Sequence, residues 1–393
     1  MKRGIVVAGA IARKPTHGGH AWALLSWALG FRALGFEVTW IDRVDGGADA
    51  DESARTVEKR ERERAWFARA MAEFGLARDA CLLAPISGVR DGAPSIYGLD
   101  RGAARERIRD AELLLNVMGY LDDEELFGAA RRRVFLDIDP GFGQMWRALG
   151  LADLFAGHDD FATVGRNIGR AGCSIPDCGL DWIATRPPVA LERWPERSVG
   201  AAHAAFRSVA TWRGRYDPIE FDGRRYGVRA HGFRKLADLP NRTGEPFELA
   251  LDIDPADEKD RARLVAGGWT LVDPKRVAAD PWRYRRFVAG SAAELQVAKE
   301  LYVESGSGWF SDRSACFLAS GRPVIVEDTG LAGDLPLGEG LLAFRTLEEA
   351  AAAVAEVSAD LPRHSRAARR IAEEHFAADR VARELLDDLG VAA

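Results

Sequence analysis

The sequence predicts an α/β protein of two facing, Rossmann-like doubly wound domains with a cleft between them. Three observations predict it: a βαβ pattern opening the chain, a second series of alternating strands and helices from about residue 208, and a Pro- and Gly-rich stretch separating the two. The 393 residues suit two domains, since about 150 residues per domain is a fair prior. Hydrophobic residues supply 47% and charged residues 29%, which is enough apolar material for two cores and too much for a disordered chain.

Ile5 to Ile11 is a short apolar run, the turn residues Ala12 to Gly19 follow, and His20 to Leu34 has helical spacing. Gly35 stops that helix and Glu37 to Asp42 (EVTWID) reads as the next strand, so the pair of strands is predicted to be parallel. Ala50 to Phe74 is a charged amphipathic helix whose buried stripe is Trp66, Phe67, Ala70, Met71 and Phe74. Leu113 to Val117 (LLLNV) and Val134 to Ile138 (VFLDI) are buried strands, each running into polar residues where a parallel sheet opens its ligand crevice.

Residues 158–200 lack periodicity and hold Pro176, Pro187, Pro188 and Pro195, which reads as a loop-rich bridge. The expected first domain is therefore 1–195 and the second 196–370, with a C-terminal helix over 371–393 able to pack back on the first. The second series runs through Ser208–Thr211, Phe247–Leu251, Trp269–Val272, a helix at Pro281–Gly290, Glu294–Tyr302, a helix at Arg313–Ala319, Pro323–Glu327 and Leu341–Phe344. Helices with a Pro362 interruption fill Thr346 to Leu389.

Charge narrows the partners. With 54 Lys+Arg against 60 Asp+Glu the net charge is −6, which gives no global field for nucleic acid or an anionic membrane, so an anion must be held locally. Cys81, Cys173, Cys178 and Cys316 form no CxxC pair and read as reduced thiols of a cytoplasmic protein. No segment reaches the roughly 18 apolar residues of a membrane span.

The sharpest local feature is the run from Gly306 to Gly330. Gly306 and Gly308 permit a tight loop, Ser311 or Asp312 caps the next helix, and the N–H groups freed over Ser311–Ser314 suit a phosphate beside Arg313. The alternative is a capped helix packed on a strand, with Arg313 in a surface ion pair.

Within that run, FLASGRPVIVEDTG resembles the C-terminal nucleotide-sugar site of GT-B glycosyltransferases. The opening HGGHAWALLSWALGFRALGFEVTWID is similar to the first βαβ unit of the same fold. The resemblance implies a metal-independent transferase with no resident cofactor, taking a nucleotide-diphosphate sugar as co-substrate and a small-molecule acceptor. It places the diphosphate near Gly308, Ser311, Asp312, Arg313, Ser314 and Arg213, with Arg215 close by, and the donor sugar near Glu327, Asp328, Thr329 and Gly330. The other reading of Asp328 is a strand-terminal turn holding Thr329 and Gly330.

On the acceptor side the resemblance implies a loop of His17, Gly18, Gly19 and His20, with His20 as the base that deprotonates the acceptor and Asn116, Asp137 or Asp139 as its support. His17 and His20 also suit a plain capping role. Two acidic positions common in retaining members fall here on Gly308 and Cys316, so ribose recognition does not carry over. Asp137 and Asp139 alternate, so on a strand they would share a face; a structural or acceptor role is expected for them over metal binding. Two rival readings are a nucleotide-sugar 2-epimerase of the same fold and a non-catalytic binding protein.

Overall fold

The structure, a computed structural model, describes residues 3–44, 54–84, 92–196, 204–214, 216–227 and 229–392. The first four residues of the predicted charged helix, 50–53, and Arg215 lie outside the described residues.

The first half carries strands β1 (Gly4–Ala8), β2 (Glu37–Arg43), β3 (Ala80–Leu83), β4 (Ser95–Gly98), β5 (Leu113–Val117), β6 (Arg133–Asp137), β7 (Asp160–Thr163) and β8 (Trp182–Ala184). Its helices are α1 (Gly18–Ala33), α2 (Ala54–Glu73), α3 (Arg101–Asp110), α4 (Glu124–Ala129) and α5 (Phe142–Ala148). The second half carries β9 (Phe206–Thr211), a hairpin of β10 (Ile219–Phe221) and β11 (Arg224–Tyr226), then β12 (Phe247–Asp252), β13 (Trp269–Val272), β14 (Ala293–Gln296), β15 (Val324–Glu327) and β16 (Leu341–Phe344). Its helices are α6 (Arg229–Lys235), α7 (Leu239–Thr243), α8 (Glu258–Ala266), α9 (Pro274–Val277), α10 (Pro281–Ala289), α11 (Glu300–Glu304) and α12 (Asp312–Ala319), closed by α13 (Leu347–Ala359), α14 (Leu361–His375) and α15 (Ala378–Asp388).

Among the described residues, the first sheet runs β4-β3-β2-β1-β5-β6-β7-β8 and the second β13-β12-β9-β14-β15-β16. All neighbours are parallel except the edge pair β3/β4. Both sheets are thus doubly wound. Their strand order reverses beside β1 and beside β9, and ligands of such sheets settle at the carboxyl ends of the strands flanking that reversal.

Two readings of the sequence change. The stretch 158–200 is not only a bridge, because β7 and β8 lie within it and extend the first sheet. Strands of four and three residues leave too little alternation to read as a period. The run Glu294–Tyr302 divides into β14 and α11, with the turn between them carrying Lys299.

Helix α1 explains how the halves meet. Trp22, Leu24, Leu25, Trp27, Ala28 and Phe31 are all buried, so the helix is apolar on every face and must be covered on every face. It packs on β1 and β2 beneath, and on α10, α12 and α15 from the second half and the C-terminus. One apolar core therefore runs from Ile5 and Trp22 to Tyr284, Phe317 and Val381. The contacts are close: a Cβ at Gly18 would sit 2.2 Å from the Asp280 carbonyl oxygen, and one at Gly30 would sit 2.3 Å from that of Ala378. The Gly18 N–H, left without an intrahelical partner at the helix start, donates to the Ala278 carbonyl at 2.8 Å.

Candidate functional site

At the β9/β14 reversal of the second sheet a crevice is lined by Thr211, Arg213, Arg229 and Lys299, with Phe142 and Tyr216 as its aromatic walls. Thr211 ends β9 and Lys299 follows β14, so the crevice is where the topology places a ligand. Phe142 comes from the first half, and Tyr216 packs at 5.2 Å from it and 4.8 Å from Trp146.

Three cations meet there in different states. Arg213 forms a fork–fork pair with Asp257, with contacts of 2.8 and 2.6 Å. Lys299 Nζ donates to both carboxylate oxygens of Asp139 at 2.6 and 2.7 Å, across the two halves, and the Tyr302 hydroxyl donates to the same carboxylate. Burial pushes the Asp139 carboxyl up, but Lys299 and Tyr302 outweigh it and hold it below its ordinary value. Arg229, at the first position of α6, has no hydrogen bond or ion pair among the described residues, and its Nε is shut away from solvent. Burial and the neighbouring Arg313 charge bring its pKa down to about 10, which still leaves it cationic at neutral pH. An unpaired guanidinium at a ligand crevice is costly to keep and is the group most in need of an anion.

The residues expected to bind diphosphate behave otherwise. Arg313 is a correction: its guanidinium pairs with the fully buried Glu294 and donates to the Val209 carbonyl at 2.7 Å, so it holds β9, β14 and α12 together. Gly308 has φ +68 and spends its N–H on the Thr329 carbonyl at 2.7 Å. Ser311 caps α12 by accepting from the Arg313 N–H at 3.2 Å. Ser314 is buried with its hydroxyl unpaired, and burial raises the Asp312 carboxyl. Only Arg213 of that set lines the crevice.

The expected acceptor loop is likewise spent on structure. Gly18 and Gly19 lie against Asp280 and Tyr284 rather than an open cleft. His20 Nε2 lies 3.1 Å from the Ala10 carbonyl, which only accepts, so Nε2 carries the proton. Burial and the Lys14 charge push its pKa down to about 3, making it a weak proton acceptor. His17 precedes α1 without capping it through its side chain, and burial and Lys14 lower its pKa too.

The supports named for His20 have other partners. Asn116 exchanges hydrogen bonds with Leu121 N and O and contacts His158. Asp137 accepts from Gln144 Nε2, Thr163 Oγ1 and Asp139 N, and burial raises it to about 6. Asp139 lies beyond the end of β6, so the two carboxylates share no strand face. No group of three or more His, Cys, Asp or Glu side chains among the described residues is arranged to hold a metal.

Of the expected sugar residues, Asp328 makes the turn, accepting from Gly330 N at 2.8 Å and Leu331 N at 3.1 Å, and it pairs with Arg345. Thr329 Oγ1 donates to the Trp309 carbonyl, and the Gly330 carbonyl accepts from Asn167. Glu327 Oε2 accepts from Ala298 N at 3.1 Å, and its Oε1 meets no hydrogen-bond partner among the described residues.

Sequence reading missed Arg229, Lys299 and Phe142, whereas Tyr216, in the TWRGRY segment after β9, stands at the crevice beside Arg213. The signal for Lys299 was its place just after a strand of the second sheet, hidden because β14 and α11 read as one run.

No family model matches the chain, and no curated protein sequence matches it. Solved structures do. An α-glucosyltransferase in complex with UDP and a mismatched 13-mer DNA superposes with TM-score 0.58 at 11% identity, covering 98% of this chain and 99% of that one. The Anabaena protein Alr3699/HepE in complex with UDP gives 0.56 at 12% identity, covering 99% and 100%. AviGT4, a glycosyltransferase involved in avilamycin A biosynthesis, gives 0.55 at 12%, covering 98% and 96%. No described helix is long and apolar enough to cross a membrane. Near-complete coverage of both chains, together with two doubly wound sheets meeting over a crevice at the β9/β14 reversal, gives this chain the GT-B fold.

Proposed function

We propose that this chain is a glycosyltransferase that takes its sugar from a nucleoside-diphosphate donor and passes it to a small-molecule acceptor. The observation that carries the reading is Arg229, a cation at the ligand crevice of the second sheet with no hydrogen bond or ion pair among the described residues, its charge offset only through space by the Asp139 and Asp312 carboxylates. A diphosphate there would meet Arg229 and, beside it, Lys299 and Arg213. A guanidinium presents donors in a planar fork that matches phosphate oxygens, and Lys299 supplies a point charge. Negative charge grows on the diphosphate as the sugar leaves, so cations fixed before the reaction stabilise the departing group more than the ground state. Charge at the leaving group is offset by side chains in this account, without a metal ion or other resident cofactor.

The unliganded Lys299–Asp139 pair sets the position of the ammonium, and the diphosphate competes with Asp139 for it. Phe142 and Tyr216 cover the crevice and keep water from the donor, which limits hydrolysis. UDP is the first nucleotide to test, because two of the similar structures, the α-glucosyltransferase and Alr3699/HepE, hold it. The net charge of −6 gives no field that draws a polyanionic acceptor, which favours a small molecule.

Thermal shift with UDP-, GDP- and dTDP-sugars, followed by a donor-consumption assay with and without acceptors, tests the reading. Stabilisation by one nucleotide class and acceptor-dependent release of the diphosphate are expected. Conversion of UDP-GlcNAc without any acceptor would replace transfer with epimerisation, and no stabilisation by any of the three would overturn it.

A further inference from the structure

The loop between β6 and α5, residues 138–141, carries a single charged side chain, Asp139, and sets it from the first half against the crevice cations of the second. Its backbone is braced. Asp139 N donates to Asp137 Oδ1 at 3.1 Å, Gln144 Nε2 donates to Asp137 Oδ2 at 2.7 Å, and Gly141 N donates to Gln144 Oε1 at 2.8 Å. A Cβ at Gly141, where φ is +110, would sit 2.6 Å from Leu301 Cδ2, so the loop lies hard against α11. The carboxylate therefore has a fixed address.

From that address Asp139 gives both oxygens to Lys299, and its charge also reaches Arg229, whose cationic form it favours. A diphosphate in the crevice needs the same two cations and carries the same sign of charge as Asp139. Each anion thus raises the energy of the other. Lys299 is held by more than this carboxylate: its Nζ lies 5.3 Å over the Phe142 ring and 5.1 Å over the Tyr302 ring. Tyr302 is in turn packed on Trp309, with ring centroids 4.3 Å apart. The ammonium keeps its place when the carboxylate lets go, and what Asp139 governs is how available it is.

We propose that Asp139 is a built-in competitor of the nucleoside diphosphate: it pairs with Lys299 when no diphosphate is bound, yields the ammonium to an arriving one, and reclaims it as the spent nucleotide leaves. This rests on the nucleotide reading of the crevice and gives that site its release step. A site of fixed cations alone would retain the diphosphate that the reaction produces, and a retained product blocks the next turnover. A carboxylate beside them lowers that affinity while leaving the cations in place for the charge that grows on the leaving group.

Calorimetric titration of UDP and stopped-flow measurement of its release test the proposal on the parent chain, Asp139→Asn, Lys299→Met and the double variant. Asp139→Asn keeps an acceptor for Tyr302 and removes the charge, and it is expected to bind UDP about tenfold tighter and to release it correspondingly more slowly. Asp139→Ser, a second neutral variant, is expected to shift affinity in the same direction. Lys299→Met is expected to weaken binding, and in its presence the effect of Asp139→Asn should fall to about twofold or less. Unchanged or weaker UDP binding in both neutral variants overturns the proposal, because a purely structural Asp139 lowers affinity when it is lost. So does an equal tightening with Lys299→Met in place, since Asp139 would then act without passing through Lys299. Failure of every one of these proteins to bind UDP would overturn the nucleotide reading itself, a result distinct from binding that ignores Asp139.

Discussion

His20 shows how a side chain at an expected address can carry another task. Its position in the first turn of α1 is where the resemblance puts a base, but Nε2–H is given to the Ala10 carbonyl and burial lowers the pKa to about 3. His20→Gln keeps a donor for that carbonyl, so donor turnover is expected to stay within about tenfold of the parent, whereas loss of a general base costs about 10²–10⁴. A pH–rate profile of the parent should show no limb from this imidazole near pH 6.5. Arg313 gives the opposite lesson. A charge next to a helix cap reads as a phosphate ligand, and only the tertiary structure shows Glu294 buried beneath it. Arg229 was illegible because its partnerless state is a property of the surrounding packing, which no spacing rule encodes.

Elements were legible where a pattern was long or bounded. Leu113–Val117, Trp269–Val272 and Leu341–Phe344 fall where the sequence put them, and α1 fell within two residues at its start. The β10/β11 hairpin, α6 and the edge strand β4 are short and mixed in polarity, so neither period emerges.

The loop after β1 is set by one carboxylate: Asp42, at the end of β2, accepts from Ile11 N at 2.7 Å and Ala12 N at 3.2 Å. Burial raises Asp42 from 3.8 to about 7 against those hydrogen bonds. The folded state then holds a proton that the unfolded chain has released, so this stabilisation is full below about pH 4 and is lost as pH rises through about 7. Asp42→Asn cannot titrate, and its melting temperature is expected to fall less than the parent's over that window. An equal fall in both proteins would dismiss the assignment. Gly30→Ala forces a methyl onto the Ala378 backbone where α1 meets α15, and a loss of about 1–3 kcal/mol in chemical denaturation is expected.

Across the molecule, the halves are joined by an apolar core instead of being only hinged over a cleft. Domain motion is the default only when an interface is small and polar. Here Ile5, Trp22, Tyr284, Phe317 and Val381 belong to one cluster. A single unfolding transition is expected, with tryptophan fluorescence and circular dichroism coincident; two separate transitions would show that the halves are independent. Two doubly wound halves were readable from alternating elements; the apolar faces of α1 call for cover all round, but no periodicity says that α10, α12 and α15 supply it.

Calorimetric titration of UDP into the parent chain and into Arg229→Ala bears most directly on the nucleotide site. The unpaired guanidinium predicts binding by the parent and a loss of about ten- to a hundredfold in the variant, with its melting temperature unchanged or raised. Equal UDP affinity in the two proteins would contradict it.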